Sequence, residues 1–411
     1  KIPKQINVKT ALIFVGISIL LTSAFFYAFA TTPSSTFYIS SGVYPGAPSY
    51  TIWKEGANYF AKDANGQLKY SGTNASQIVQ NCIASYTHIY FNAKEDDPIR
   101  FTHSIMISNK ECITIEGKGH EEILWLADGA NCDMWKIQAS HQIRFINIGM
   151  YGNILQQTSS SNGITFYGST NTDCHVTDCC IVWFKGHGIY TQGELYASYI
   201  VDSYIENNEA AGIRGDALLD TVIRNNFLWN NREAIWIEST THNAQDNVIV
   251  DNLIHDTGNQ AIYLFNSTGT IIDGNWINEA GSNAIDLRNC TRCVISNNHL
   301  DATAAVGIYL YGTDETSVSG NVIVASSYEN DNTTDGIYVL AYSFWNIITD
   351  NLISNLNTMN NTRYGFCEAS SCDYNLFADI IIEGADTSPS YLVNGADTKV
   401  DNVWNGTSWN P

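Results

Sequence analysis

One spacing limits what this chain can fold into more than any other feature. The pattern apolar-x-x-Asn recurs from Ile223 to Asn226, Ile249 to Asn252, Ile272 to Asn275, Ile295 to Asn298, Val318 to Asn321 and Ile348 to Asn351. Asn252, Asn275, Asn298 and Asn321 follow one another at steps of 23 residues. Looser copies place Cys179 and Ser203 before the series and Asp379 after it. A second motif of small residue, Ile and outward residue precedes each copy. Its instances are Gly188-Ile189-Tyr190, Gly212-Ile213-Arg214, Ala234-Ile235-Trp236, Ala261-Ile262-Tyr263, Ala284-Ile285-Asp286, Gly307-Ile308-Tyr309 and Gly336-Ile337-Tyr338.

A period near 23 with period-2 alternation inside each unit fits three short strands per turn of a parallel solenoid. Leucine-rich repeats have a similar length but need a Leu-rich consensus, which is absent here. The expected fold is all-β: a single-stranded right-handed parallel β-helix of about ten coils. In such a stack Asn226, Asn252, Asn275, Asn298, Asn321 and Asn351 lie above one another about 4.8 Å apart. Their amides then hydrogen-bond along the column, which makes burying them nearly neutral, where a lone buried Asn costs about 1–3 kcal/mol. They form a structural ladder and no catalytic array.

An open solenoid end exposes core and strand edges and needs a cover. Ile78, Val79, Cys82 and Ile83 share one helical face after the polar residues Ser71 to Ser76, which predicts a short N-terminal capping helix. The expected order is residues 1–36 as signal or anchor helix and linker, 37–100 as cap region, 101–395 as β-helix and 396–411 as C-terminal cap. At the start, Lys1, Lys4 and Lys9 precede an uncharged run over residues 11–30. A helix of that length spans about 30 Å, enough to cross a bilayer with the body outside. The alternative is a cleaved signal peptide ending at Ala28-Phe29-Ala30. Both readings export the body, giving a secreted or membrane-anchored cell-surface protein.

The net charge of -21 excludes a nucleic-acid partner and electrostatic docking on anionic lipid. No cofactor is implied, although an acidic exterior leaves weak calcium binding open. Of the ten cysteines, Cys367 and Cys372 are spaced to close a loop disulfide, Cys290 and Cys293 to pair or to serve as two metal ligands, and Cys82, Cys112, Cys132, Cys174, Cys179 and Cys180 read as small core residues or bridges. No second Cys-x-x-Cys accompanies the first, so no metal site is assigned.

The opening Tyr50-Thr-Ile-Trp-Lys, then Tyr59-Phe-Ala-Lys, Tyr70-Ser-Gly-Thr and Ile113-Thr-Ile-Glu-Gly-Lys-Gly precede the repeat. Together with the repeat they resemble the pectin-lyase-like superfamily of right-handed β-helix proteins, in its exported archaeal-type members, over roughly residues 50–410. The resemblance implies the fold. It leaves function open among lyases, hydrolases, epimerases, adhesins and tailspikes. Hydrolases of that superfamily carry Asn-Thr-Asp, Asp-Asp and Gly-His-Gly on successive coils. Asn171-Thr172-Asp173 and Gly186-His187-Gly188 occur here, but 15 residues apart and with no Asp-Asp between, so His187 is assigned to a turn.

Alternation turns Tyr190 and Gln192, Arg214 and Asp216, Trp236 and Glu238, Tyr263 and Phe265, Asp286 and Arg288, Tyr309 and Tyr311, and Tyr338 and Leu340 outward. This strip of aromatics with charges at its centre suits glycan contact, with Arg214, Trp236, Tyr263, Asp286, Arg288 and Tyr309 as binding residues. Asp216 and Glu238, one coil apart, are the candidate catalytic pair, with His242 and His255 as further acid–base groups. Three functions stay open: a glycan-binding or adhesive protein, a polysaccharide lyase or glycoside hydrolase on an acidic polysaccharide, and a surface-layer or filament subunit.

Overall fold

The computed structural model describes residues 47–240, 244–326, 334–354, 362–383, 391–404 and, as backbone, 409–410. The expected anchor or signal segment lies outside the described residues, as does His242. Among the described residues no helix is long and apolar enough to cross a membrane.

From Pro48 onward the chain is a right-handed parallel β-solenoid of about twelve turns, two more than the repeat alone led us to expect. Each turn contributes three strands. In one central coil these are Ile235–Glu238, Val248–Val250 and Leu253–Thr257. Each pairs in parallel with its equivalent in the next coil: Ile235 with Ile262, Val248 with Ile271, Leu253 with Trp276. The third strands of the coils build a separate sheet of fourteen strands, running from Ile99–Phe101 to Trp409–Asn410. Inside, Ile235, Ile262, Ile285, Ile308 and Ile337 stack without solvent contact.

The small residue opening each coil has a steric cause. A Cβ on Gly336 would lie 2.6 Å from both the Gly365 carbonyl and an Ile353 methyl. Turn geometry explains the surplus of Asn, Asp and Gly. The residue before each ladder Asn is left-handed: Asn225 at φ 54°, Asp251 at 54°, Gly274 at 65°, Asn297 at 53°, Gly320 at 67° and Asp350 at 56°. Only Gly, Asn and Asp reach that region readily.

The asparagine ladder forms as expected. Asn226, Asn252, Asn275, Asn298, Asn321 and Asn351 are each at most 1% exposed. The Asn275 amide donates to Asn298 Oδ1 at 2.9 Å and to the Ile249 carbonyl at 2.9 Å, while its own Oδ1 accepts from Asn252 Nδ2 at 2.9 Å. Upstream, Cys179 N donates to Ser203 Oγ and Ser203 N to Asn226 Oδ1, so both belong to the column. Downstream the rung is Ile380 and not Asp379. Leu352 pairs with Ile381, which places Asn351 opposite Ile380, and Asp379 takes the left-handed turn position at φ 52°. Other columns hold Ser, Thr and Cys in the same way. Cys290 and Cys293 are buried free thiols in columns with Ser267 and Thr313, and with Thr270 and Thr316. Cys293 N donates to Thr316 Oγ1 at 3.2 Å. Cys367 and Cys372 are also buried free thiols.

The N-terminal cover is the helix Ala75–Cys82, capped by Asn74 Oδ1 accepting from Gln77 N and burying Ile78, Val79 and Cys82. Its Gln80 amide completes the open strand edge, taking Met106 N at 2.8 Å and giving to Met106 O at 2.9 Å. Before it lies an antiparallel meander, Tyr50–Glu55, Asn58–Asp63 and Leu68–Gly72. At the other end the ladder continues through Lys399–Asp401, paired in parallel with Leu376–Ala378.

Candidate functional site

Two outer faces of the coils present chemistry, and they differ in how their charges are held. The first is the strip expected from alternation. Tyr190, Arg214, Trp236, Tyr263, Asp286, Tyr309 and Tyr338 pair consecutively across seven coils, so the register brings these positions into one column. Within it the charged groups pair with one another, while Trp236 Nε1 is buried without a hydrogen-bond partner. Arg214 gives Nε to Asp216 Oδ1 at 3.2 Å and Nη2 to Glu238 Oε2 at 2.8 Å, and its guanidinium lies 4.2 Å over the Trp236 ring. Arg288 grips Asp286 through both oxygens, at 2.9 and 3.0 Å, between the rings of Tyr263 and Tyr309. Asp286 points outward by alternation yet is fully buried, because Arg288 folds over it and Asn283 donates from the side at 2.9 Å. The Asp286 carboxylate in turn raises the pKa of Arg288, holding it charged.

Asp216 and Glu238 therefore both accept from a single guanidinium, a geometry that orients them as ion-pair partners. Three carboxylates face two guanidiniums, a net charge of -1, so the strip offers no excess positive charge to an acidic polysaccharide. Trp236 meets Tyr263 edge-on at 5.4 Å and Tyr309 meets Tyr338 at 5.9 Å, while Tyr311 at the strip's edge stays 40% exposed.

The motif residues upstream have structural work. Asn171 is fully buried and accepts from Ser140 N at 3.2 Å. His187 Nδ1 accepts from Ala211 N at 3.0 Å, and burial, reinforced by Arg214, pushes its pKa down to about 4.

The second face is the outside of the fourteen-stranded sheet, which the sequence reading did not single out. Two outward columns run along it. One holds Tyr204, Phe227, Leu253, Trp276 and His299, the other Glu206, Trp229, His255, Asn278 and Asp301. Here the large side chains meet solvent: Trp276 is 55% exposed, Tyr204 43% and Trp229 38%. Trp229 and Trp276 stand two coils apart, about 10 Å along the stack. Their polar neighbours bond among themselves. Trp229 Nε1 donates to Asp256 Oδ2 at 2.7 Å, and the Asn278 amide lies 2.8 Å from His255 Nε2.

A groove of about 360 Å³ opens at the corner beyond these columns, lined by Asn230, Asp256, Gly258, Glu279, Gly281 and Ala302 among others. Asp256 and Glu279 share a hydrogen bond that lowers the pKa of Asp256 and raises that of Glu279. Among the described residues His255, Asp256 and Glu279 form a cluster whose ligand atoms all lie within 4.8 Å of one another. Nearer the N-terminus of the same sheet, burial, with repulsion from Glu95 and Glu206, pushes Glu122 up to about 7. Of all these residues, sequence reasoning had named only His255. The available signal was Trp229 and Trp276 at outward positions of the third strand, where no small residue marks the start.

Comparison with known proteins agrees with the fold. A family model described as right-handed beta helix region matches residues 137–289 and 240–353. No curated protein matches the chain. Among solved structures, the A-module of the mannuronan C-5 epimerase AlgE4 of Azotobacter vinelandii is similar at 16% identity and a TM-score of 0.63, over 76% of this chain and 90% of that one. DFA-IIIase of Arthrobacter chlorophenolicus A6, solved in complex with GF2, matches at 15% identity and a TM-score of 0.58, over 76% and 87%. The Dettilon tailspike protein matches at 16% and 0.57, over 77% and 62%. At these identities the likeness is one of fold.

Proposed function

The chain belongs to the right-handed β-helix family, and on that footing we propose that it is an exported, surface-anchored glycan-binding protein whose contact face is the outside of the fourteen-stranded sheet. The observation that carries this reading is the pair Trp229 and Trp276. Both are exposed and stand two coils apart on one sheet, in neighbouring outward columns, beside a groove with polar walls. Exposed aromatic rings give sugars an apolar platform, while His255, Asn278 and Asp301 offer hydrogen bonds to hydroxyls. Export rests on the basic residues and uncharged run at residues 1–30. Carbohydrate-related neighbours such as the mannuronan epimerase support a sugar partner without fixing its identity.

The strip from Tyr190 to Tyr338 is the second candidate surface, and Asp216 with Glu238 the catalytic pair of the enzyme reading. Their shared ion pair with Arg214 favours a structural role for them. The test presents the full chain with panels of neutral and acidic oligosaccharides and follows binding, reducing ends and unsaturated products. Binding without products, falling at least fivefold in Trp276→Ala, supports the reading. New reducing ends or unsaturated products, abolished in Glu238→Gln, would replace it with a hydrolase or lyase.

A further inference from the structure

The corner formed by His255, Asp256 and Glu279 has a feature that hydrogen bonding leaves unexplained. His255 Nδ1 lies 3.1 Å from Asp256 Oδ2, within ion-pair distance, yet this ring nitrogen is shielded from solvent and has no well-aligned hydrogen-bond partner, although the imidazole as a whole is 36% exposed. A buried polar atom without a partner calls for an explanation. Close but unaligned approach is what two ligands of one ion show. With metal–nitrogen and metal–oxygen bonds near 2.0–2.2 Å, adjacent ligand atoms sit about 3.0–3.4 Å apart.

The surroundings agree with that geometry. Asn278 Nδ2 lies 2.8 Å from His255 Nε2, and exchanging the two ends of this amide, which only the hydrogen-bond network assigns, puts its carbonyl there instead. With its carbonyl turned to the ring, Asn278 accepts the Nε2 proton and leaves the Nδ1 lone pair directed at the two carboxylates. That is how a neighbouring carbonyl orients a metal-binding imidazole. Trp229 Nε1 donates to Asp256 Oδ2 at 2.7 Å and fixes that carboxylate from outside. Unlike Glu233, Asp286 and Asp335, Asp256 and Glu279 make no ion pair with Arg or Lys among the described residues, and their groove is open to solvent.

We propose that His255, Asp256 and Glu279 form a binding site for a divalent transition-metal cation. One imidazole and two carboxylates suit zinc or manganese, with water filling the positions that face the groove. Calcium, which takes six to eight oxygen ligands, is a poorer match to a site containing nitrogen. The overall charge of -21 favours cation approach. The proposal stands independently of any glycan, since the ion is held by three side chains of this chain.

The test titrates Zn2+ and Mn2+ separately into the metal-stripped full chain, without sugar, and reads stoichiometry by calorimetry and the melting temperature. One saturable ion per chain is expected, with a raised melting temperature and affinity at least tenfold weaker in Asp256→Asn and in Glu279→Gln. Circular dichroism of the metal-free variants should match wild type. Glu315→Gln, which alters an exposed acid paired with Arg292, should bind as wild type does. No saturable binding, or binding equal in Asp256→Asn, Glu279→Gln and wild type, overturns the proposal.

Discussion

The strip and the corner are both acidic, yet they treat charge in opposite ways. On the strip every carboxylate is matched: Asp216 and Glu238 by Arg214, Asp286 by Arg288. The same device recurs deeper in the coils, where the buried Glu233 and Asp335 are paired with Arg232 and Arg363. At the corner, Asp256 and Glu279 face each other with an imidazole and an indole N–H for company. The difference teaches that a charge already neutralised inside the protein serves the fold. A charge left facing its own kind, at an open groove, is available to something outside.

The largest expected effect breaks the matched side. Arg288→Leu removes the cation of Asp286 together with much of its cover and should destabilise the fold by about 3 kcal/mol in denaturant unfolding. Changing Asp286 to Leu as well should recover most of that loss, since no buried charge then remains. If the double variant is as unstable as the single one, the pair has a role beyond neutralisation.

Next comes the interior that both faces share. Asn275→Ala removes the acceptor of Asn252 N and Nδ2 and should cost about 2–3 kcal/mol, measured in the same way. At the corner, Asp256→Asn in metal-free protein should change stability by no more than about 0.5 kcal/mol, because the amide keeps an acceptor for Trp229 and for the hydrogen bond shared with Glu279.

The smallest effect is a pH dependence. Glu122 is held up to about 7 in the folded chain by burial, whereas an unfolded Glu titrates near 4.5. Between those values the folded state holds the extra proton, so the Glu122 contribution to stability falls as pH rises from about 4.5 to 7. The loss is on the order of 1 kcal/mol once solvent screening is allowed for. Glu122→Gln should flatten that part of the stability curve. An unchanged curve would show that the half-buried site is well hydrated.

Much of the fold was legible because its cause is periodic. A 23-residue step, an apolar partner three residues earlier and a turn-forming residue just before the Asn each repeat coil after coil. The reading slipped at Asp379 because the turn residue and the rung are adjacent, and polarity alone favoured the wrong one of the pair. Alternation also placed Tyr190, Arg214, Trp236, Tyr263, Asp286, Tyr309 and Tyr338 in one outward column, whereas the bulge after Thr191 breaks the neighbouring column at Gln192. Alternation gives direction and not cover, so the burial of Asp286 beneath Arg288 could not be read from it. The corner escaped for a different reason. Asp256 and Glu279 occupy left-handed turn positions at φ 52° and 55°, where acids read as turn formers. The step from Trp229 to His255 is 26 residues, which hides the column.

The central claim is that sugar meets the exposed rings of the fourteen-stranded sheet and not the charge-paired strip. Side-by-side affinities of Trp276→Ala and Trp236→Ala for one bound oligosaccharide test it most directly. Loss of an exposed stacking ring corresponds to about 1 kcal/mol or more, so Trp276→Ala should weaken binding at least fivefold while Trp236→Ala stays within twofold of wild type. The reverse result, with Trp236 indispensable and Trp276 dispensable, would place the sugar on the strip and contradict the account.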